Sequence, residues 1–272
     1  MMMRQVQVLM LTAVAALVSA QVAHAVDYGT IKGTFTIKGM TPSMKKIVPN
    51  KDVEVCGKQE LHEEVLVVGK DGGLANALIY ALGDAKDANK PMANIHESYN
   101  ALKAEAAVLD NKGCRFEPRL AVVWTAQKFT IKNSDPSIGH NSFGQPFANP
   151  AFNPLIPAGG SVTVPLDKPE KLPFKVSCSI HPWMGSYVIV RPDPYAAVSG
   201  ETGAFEMVNV PVGEHTFQLW QETLGYLKAV TINGKAEKER RGQYKIAVKK
   251  GDNELKIVVD AKDFKTQIDK VK

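Results

Sequence analysis

Three things are missing or scarce in this chain, and each absence narrows what the protein can be. After residue 25 no stretch is apolar enough to cross a bilayer, so we expect no integral membrane segment in the mature protein. No run of lysine and arginine is interleaved with aromatic residues, which argues against a nucleic-acid partner. The chain has only 3 cysteines, and an odd number leaves one thiol over when the other two form a disulfide.

The first 25 residues have the composition of a secretory signal peptide. MMMRQVQVLMLTAVAALVSAQVAHA holds one arginine and an apolar run, and it ends in the small-x-small triplet Ala23-His24-Ala25. An uncleaved membrane anchor is the alternative, but the apolar run is short for a span and no basic stop follows it. We therefore predict cleavage after Ala25 and a periplasmic or secreted protein.

Alternation of apolar and polar residues predicts β-strands over residues 26–192. In YGTIKGTFTIKG, one face of the strand carries Ile31, Phe35 and Ile37, and the other face is polar. Residues 84–110 are rich in alanine, lysine and glutamate, which predicts a short helical insertion. The proline and glycine spacing of residues 143–160 predicts a loop. We expect an all-β sandwich or barrel with one helical decoration.

A second, smaller unit is predicted over residues 193–272, after the boundary sequence PDP. Short apolar strands there are separated by the turns PVG, TLG, NGK and KGDN. The stretch SGETGAFEMVNVPVGEHTFQLW resembles the carboxypeptidase regulatory-like or transthyretin-like β-sandwich, which implies an accessory module. From residue 228 onward, 13 basic residues face 7 acidic ones. Such lysines usually keep a β-surface solvated, although anionic lipid or an acidic partner is an alternative.

Two of the cysteines have surroundings typical of a disulfide. Cys56 in VEVCGKQ and Cys114 in NKGCRF both lie in polar, turn-like sequence, and we expect them to pair in an oxidising compartment. Cys178 is left over. A buried free cysteine is usually a small hydrophobic residue, so a chemical role for Cys178 depends on its neighbours.

The neighbours of Cys178 form the pattern C-x-x-H-x-x-M in the sequence CSIHPWM. Chance predicts roughly 0.002 such matches in a chain of this composition. A cysteine protease is a poor alternative, because its nucleophile and base normally come from distant segments and need a third, orienting group. Zinc is also disfavoured, since zinc sites rarely recruit methionine and structural zinc prefers two or more cysteines.

A thiolate, two imidazoles and a weak axial thioether form the ligand set of blue copper. The loop supplies Cys178, His181 and Met184, although methionine can also serve as core filler. The second imidazole must come from another segment. IKNSDPSIGHN offers His140, which lies 38 residues before Cys178 at the end of an alternating strand.

The HN pair after a strand-ending turn, followed by a strand and C-x-x-H-x-x-M, resembles the cupredoxins, and the short ligand loop is similar to that of amicyanin. This resemblance covers about residues 114–190 and implies a Greek-key β-sandwich. It implies that the in-plane ligands are His140, Cys178 and His181 and that the axial ligand is Met184. It also implies a hydrogen bond from Asn141 to the segment at Ser179. The implied docking patch lies around Pro182 and Trp183. The resemblance further implies that the ring edge of His181 reaches solvent.

We therefore expect a type 1 copper protein that carries single electrons between a redox protein donor and an acceptor, and that is not itself an enzyme. A multicopper oxidase or a type 2 copper reductase would need more histidines in H-x-H pairs, and none occurs. His62, His96 and His215 are interpreted as surface histidines. The alternative is a copper-binding protein of the cell envelope, in which the metal is structural, stored or delivered.

Overall fold

The structure is a computed structural model that describes residues 26–41 and 45–271. The predicted signal peptide lies outside these residues. Strands make up most of the regular structure, so the all-β prediction is confirmed. Within the described ranges, no helix has the length and apolar character needed to cross a membrane.

The strands fall along the whole described chain, and the helices are short. In chain order the strands are β1 (Tyr28–Lys38), β2 (Leu78–Leu82), β3 (Ala107–Asn111), β4 (Phe116–Glu117), β5 (Leu120–Trp124), β6 (Phe129–Asn133), β7 (His140–Asn141), β8 (Phe143–Gly144), β9 (Leu155–Ile156), β10 (Ser161–Val164), β11 (Phe174–Ser177), β12 (Gly185–Arg191), β13 (Ala196–Val198), β14 (Ala204–Pro211), β15 (Gly213–Gln221), β16 (Gly225–Tyr226), β17 (Ala229–Ile232), β18 (Lys235–Lys238), β19 (Gln243–Val248) and β20 (Gly251–Asp260). The helices are α1 (Val53–Cys56) and α2 (Lys265–Ile268), with 3-10 helices at Lys70–Gly72, Glu97–Ala104 and Ala261–Phe264.

The first sandwich contains β3 to β12. One sheet has the strand order β10-β6-β3-β4 and the other β5-β12-β11-β8, while β7 pairs with β9 at one end. Inward-facing apolar side chains from both sheets, such as Leu109, Phe129 and Val188, form one core. The helical insertion predicted within residues 84–110 is the 3-10 helix Glu97–Ala104, and the predicted loop over residues 143–160 contains the short strands β8 and β9.

The second sandwich corrects the predicted division at residue 192. Its sheets have the orders β14-β1-β20-β17-β18 and β13-β2-β15-β16, with β19 beside β15. Strands β1 and β2, which we predicted to belong to the first unit, therefore complete the second. The physical reason is that β1 pairs in parallel with β20 along its length, and its apolar face fills the core of this sandwich through Ile31, Phe35 and Ile37.

The two sandwiches pack against each other through β2 and β15 of the second and β5 and β12 of the first. Successive side chains of a strand point to opposite faces. In β2, Ile79 and Ala81 therefore enter the core of the second sandwich, whereas Tyr80 contacts the interface cluster with Ile189 of β12 and Trp220 of β15. Burial on both faces explains why LIYAL is continuously apolar.

Candidate metal centre

The candidate metal centre lies where two connections meet at one end of the first sandwich. Cys178 follows β11 and Met184 precedes β12, so CSIHPWM is the turn between two antiparallel strands. This turn is closed by hydrogen bonds from the Cys178 N–H to the Met184 carbonyl (3.3 Å) and from the Met184 N–H to the His181 carbonyl (2.9 Å). His140 begins β7, where it pairs with Ile156.

The structure brings three of the four predicted ligand residues into one cluster. Single ligand atoms of His140, Cys178 and His181 all lie within 4.8 Å of one another. The three residues are 0 %, 3 % and 0 % exposed, respectively. Met184 is also buried and shares an apolar cluster with Cys178. All four predicted ligand side chains are thus buried.

His140 presents one free ring nitrogen to this cluster. Its Nε2 donates to Asp135 Oδ2 at 2.7 Å, while its buried Nδ1 has no hydrogen-bond partner among the residues that the structure describes. Asp135 is itself fixed, because its carboxylate also accepts the backbone N–H groups of Gly113 (2.6 Å) and Cys114 (3.0 Å). A buried polar atom without a partner is costly, and a metal ion would satisfy Nδ1.

His181 is oriented in the same manner by a different carboxylate. Its Nδ1 lies 3.8 Å from Cys178 Sγ, and its Nε2 donates to Asp52 Oδ2 at 2.8 Å. Because Asp52 covers this nitrogen, the ring is fully buried. The expectation that the His181 ring edge reaches solvent is therefore wrong for this chain. The physical reason is an additional segment that carries Asp52 over the ring.

The segment that carries Asp52 is the cap loop, residues 46–62. Its ends are joined by a bridge between Lys46 and His62 and by a hydrogen bond from the Ile47 N–H to the Leu61 carbonyl (2.9 Å). The predicted disulfide is confirmed, since Cys56 of the cap loop is bonded to Cys114. Around this disulfide Leu61 is buried, with Ile47, Val55, Ile138 and Trp183 packed against it.

Asn141 connects the two ligand-bearing segments. Its Oδ1 accepts the backbone N–H of Ser179 at 2.8 Å and lies 3.4 Å from Cys178 Sγ. Its Nδ2 donates to Ser179 Oγ (3.3 Å) and Asn153 Oδ1 (2.7 Å). These contacts hold the thiol at a fixed position relative to His140, the residue before Asn141.

The cluster shifts the pKa values of its own members. Burial alone would lower the pKa of His140, but interactions with Asp135 and Cys178 raise it to about 9. Burial would raise the pKa of the Cys178 thiol, yet the interaction with His140 holds it below its ordinary value. Burial lowers the pKa of His181, opposed by Asp52. The cluster thus lowers the pH at which the Cys178 thiol loses its proton to give the thiolate that a metal requires.

These residues fit a copper ion by their chemistry. A thiolate and two imidazole nitrogens are the in-plane donors that copper takes in blue-copper sites. Both Nε2 atoms are held by carboxylates, and this leaves the two Nδ1 atoms for coordination. A carboxylate behind a metal-bound histidine fixes the tautomer and the ring orientation of that ligand.

The other predicted site residues lie around this centre. Pro182 is exposed, whereas Trp183 is half-buried and donates its indole N–H to the Cys114 carbonyl at 3.0 Å. His62, His96 and His215 are half-buried and lie outside the candidate metal-binding cluster.

Sequence reasoning missed the two carboxylates. The sequence offered a reason to expect the contact of Asp135 with His140, because Asp135 lies five residues before His140 in the same strand-ending turn. The sequence offered no reason to expect the contact of Asp52 with His181, since 129 residues separate the two.

The chain matches no family model and no curated protein. Several solved structures resemble part of it. A copper-containing nitrite reductase from Thermus scotoductus SA-01 is 20% identical, covering 31% of this chain and 22% of that one, with a TM-score of 0.28. An oxidized amicyanin mutant is 21% identical over 33% of this chain and 89% of its own, with a TM-score of 0.27. A purple cupredoxin from Nitrosopumilus maritimus is 23% identical over 31% and 98%, with a TM-score of 0.26.

Proposed function

We propose that this protein binds one copper ion in a mononuclear type 1 site and carries single electrons. The observation that supports this proposal is the buried His140, Cys178 and His181 cluster, in which His140 Nδ1 lacks a hydrogen-bond partner within the described part of the chain. Met184 is proposed as the axial ligand, since it lies in the same turn as two of these residues.

Copper supplies reversible exchange of one electron in such a ligand set. The protein holds the metal-ligating atoms in fixed positions. Asp135 and Asp52 fix the two imidazole rings, and Asn141 fixes the segment that follows the thiol. Rigid ligands suit electron transfer, because neither oxidation state then requires large rearrangement.

We propose that the protein is not an enzyme. A catalytic metal site keeps one position open for water or substrate. Here the three clustered ligands are essentially inaccessible, and the cap loop covers the side of His181. The proposed partners are a redox protein that donates the electron and another that accepts it. Pro182 and Trp183 remain the proposed docking patch.

Export to the periplasm or cell exterior is part of this proposal, because the sequence of residues 1–25 has the pattern of a signal peptide and the Cys56–Cys114 disulfide suits an oxidising compartment. The strands of residues 193–272 are proposed to form an accessory module of the carboxypeptidase regulatory-like type, completed by β1 and β2.

A second candidate function is copper storage or delivery at the cell envelope. The cap loop favours it, because a fully covered ion is protected from exchange and from contact with an electron partner. In this role the metal would stay in one oxidation state until it is released.

Absorption and paramagnetic resonance spectra of the copper-loaded protein, combined with voltammetry, separate the two roles. An electron carrier shows an intense thiolate-to-Cu(II) charge-transfer band and a reversible redox wave. A colourless protein without a reversible wave would contradict the electron-transfer proposal, and copper bound tightly in that state would support storage or delivery.

A further inference from the structure

Asp52 occupies a position at which its side chain would normally serve a helix. It is the residue before α1, and an aspartate there usually accepts a hydrogen bond from one of the first backbone N–H groups of the helix. Among the residues described by the structure, the Asp52 side chain makes no such bond. Its carboxylate points instead to His181 Nε2, at 2.8 Å.

The backbone of Asp52 is also in an uncommon conformation. Its φ and ψ of 45° and 46° place it in the left-handed region, where residues other than glycine are rare and aspartate is among the more tolerated. The Asp52 side chain thus does not cap the helix, and the backbone adopts a costly geometry at the residue whose carboxylate binds His181 Nε2. Conformational outliers of this kind persist where the surrounding structure requires them.

Other contacts hold the cap loop to the first sandwich near the same point. The Cys56–Cys114 disulfide lies four residues after Asp52, and Leu61 packs beside it with Ile138 and Trp183. These anchors fix one side of the cap loop. The Asp52–His181 hydrogen bond joins the cap loop directly to the candidate ligand cluster.

We propose that Asp52 is a positioning residue for His181 and that it latches the cap loop, residues 46–62, over the metal centre. The cap loop controls the access of copper, and of soft reagents that compete for it, to Cys178 and His181. This inference rests on the proposed metal site. It adds that the cap loop limits access to the site and that the Asp52 carboxylate sets the tautomer of His181. Opening requires the Asp52–His181 hydrogen bond to break while the disulfide keeps the loop attached.

The test uses the metal-free protein with its disulfide intact. Cys178 is then the single free thiol of the chain, since the sequence has 3 cysteines and two are bonded. The rate at which a small aromatic disulfide reagent labels Cys178 measures how often the centre opens. Nitrogen chemical shifts of the His181 imidazole measure its tautomer independently of access.

Three variants separate positioning from backbone effects. Asp52→Gly removes the carboxylate but accepts a positive φ, so the cap loop keeps its backbone. Asp52→Asn keeps an acceptor oxygen and tolerates the left-handed region. Asp71→Gly is the matched control, because Asp71 also has a positive φ (61°) but lies in the 3-10 helix before β2.

We expect Asp52→Gly to speed the labelling of Cys178 by about tenfold or more and to release the His181 tautomer from the Nε2–H form. Asp52→Asn should restore the tautomer and most of the protection, and Asp71→Gly should change neither. Labelling of Asp52→Gly within about twofold of the wild type, with the tautomer unchanged, would overturn the proposal. Equal acceleration by Asp71→Gly would overturn it too, since it would point to general loosening.

A parallel measurement keeps this proposal distinct from the proposed function. Copper-loaded wild type and Asp52→Gly are mixed with a Cu(I) chelator, and the variant should release the ion faster by a similar factor. If the wild type binds no copper at all, the metal proposal fails, while the thiol and tautomer measurements still decide whether Asp52 latches the cap loop.

Discussion

Cys114 and His140 donate to the same oxygen atom. The backbone N–H of Cys114 and the Nε2–H of His140 both reach Asp135 Oδ2, at 3.0 and 2.7 Å. The disulfide that anchors the cap loop is therefore one hydrogen bond away from the carboxylate that orients the first imidazole. The same disulfide is also close in sequence to the carboxylate that orients the second imidazole. That carboxylate belongs to Asp52, which lies four residues before Cys56 and binds His181.

Asp135→Asn should weaken copper binding by about 10- to 100-fold, because groups behind a metal-bound histidine contribute that much to metal affinity. Competition titration against a Cu(I) chelator measures the change. Asp193→Asn is the control, since Asp193 is also buried and accepts two backbone N–H groups, from Met92 and Tyr195, outside the centre. Equal weakening in both variants would assign the effect to lost stability.

The cluster of candidate ligands could be predicted from the sequence, because most of its members are close together along the chain. Cys178, His181 and Met184 lie in one seven-residue turn, and His140 follows an alternating strand with a clear turn signal. Asp52 could not be predicted, because its contact with His181 depends on how a distant loop folds over the turn.

The fold shows the same division between local and non-local information. Period-2 alternation predicts β1 as a half-buried strand, and the structure confirms the strand. Alternation alone cannot say which sheet a strand joins. The parallel pairing of β1 with β20 joins residues that are more than 200 positions apart, so the predicted boundary at residue 192 failed while the strand itself was correct.

Cys178→Ala should abolish the thiolate-to-Cu(II) charge-transfer band, because no other thiolate is available once Cys56 and Cys114 are bonded to each other. The fold should survive, since the turn is held by β11 and β12 on either side. Absorption of the copper-loaded variant, with Ser177→Ala as control, measures the effect. A band that persists would remove Cys178 from the proposed ligand set.

Met184→Leu should leave copper bound but shift the reduction potential, because the axial ligand tunes the potential of such sites. Leucine has a similar volume, so packing around the turn is largely preserved. Voltammetry measures the shift. Met207→Leu, at an equally buried methionine in the core of the second sandwich, should leave the potential unchanged. An unchanged potential in Met184→Leu would assign Met184 to packing alone.

Replacing both disulfide cysteines, as Cys56→Ala with Cys114→Ala, should lower the free energy of unfolding of the metal-free protein by about 2 to 5 kcal/mol. The double change avoids a stray thiol that could compete for copper. Denaturant unfolding followed by tryptophan fluorescence gives the value. The charge-transfer band should persist in the loaded variant, because neither cysteine belongs to the ligand cluster. Its disappearance would contradict that assignment.

A buried ion pair joins the two sandwiches. Arg119, just before β5, donates Nε and a terminal nitrogen to the two carboxylate oxygens of Glu222 at 2.7 and 2.6 Å, with both side chains under 10 % exposed (9 % and 7 %). Glu222→Ala should lower the free energy of unfolding by about 3 to 5 kcal/mol, because it leaves a buried guanidinium without its counter-charge.

Two further variants test this reason. Arg119→Met combined with Glu222→Leu removes both charges and should be clearly more stable than Glu222→Ala, since buried pairs can often be replaced by apolar side chains at little cost. Glu214→Ala breaks an exposed pair with Lys245 and should change the free energy of unfolding by less than about 1 kcal/mol. If Glu222→Ala and Glu214→Ala were equally mild in urea unfolding, the buried pair would contribute nothing to the sandwich interface.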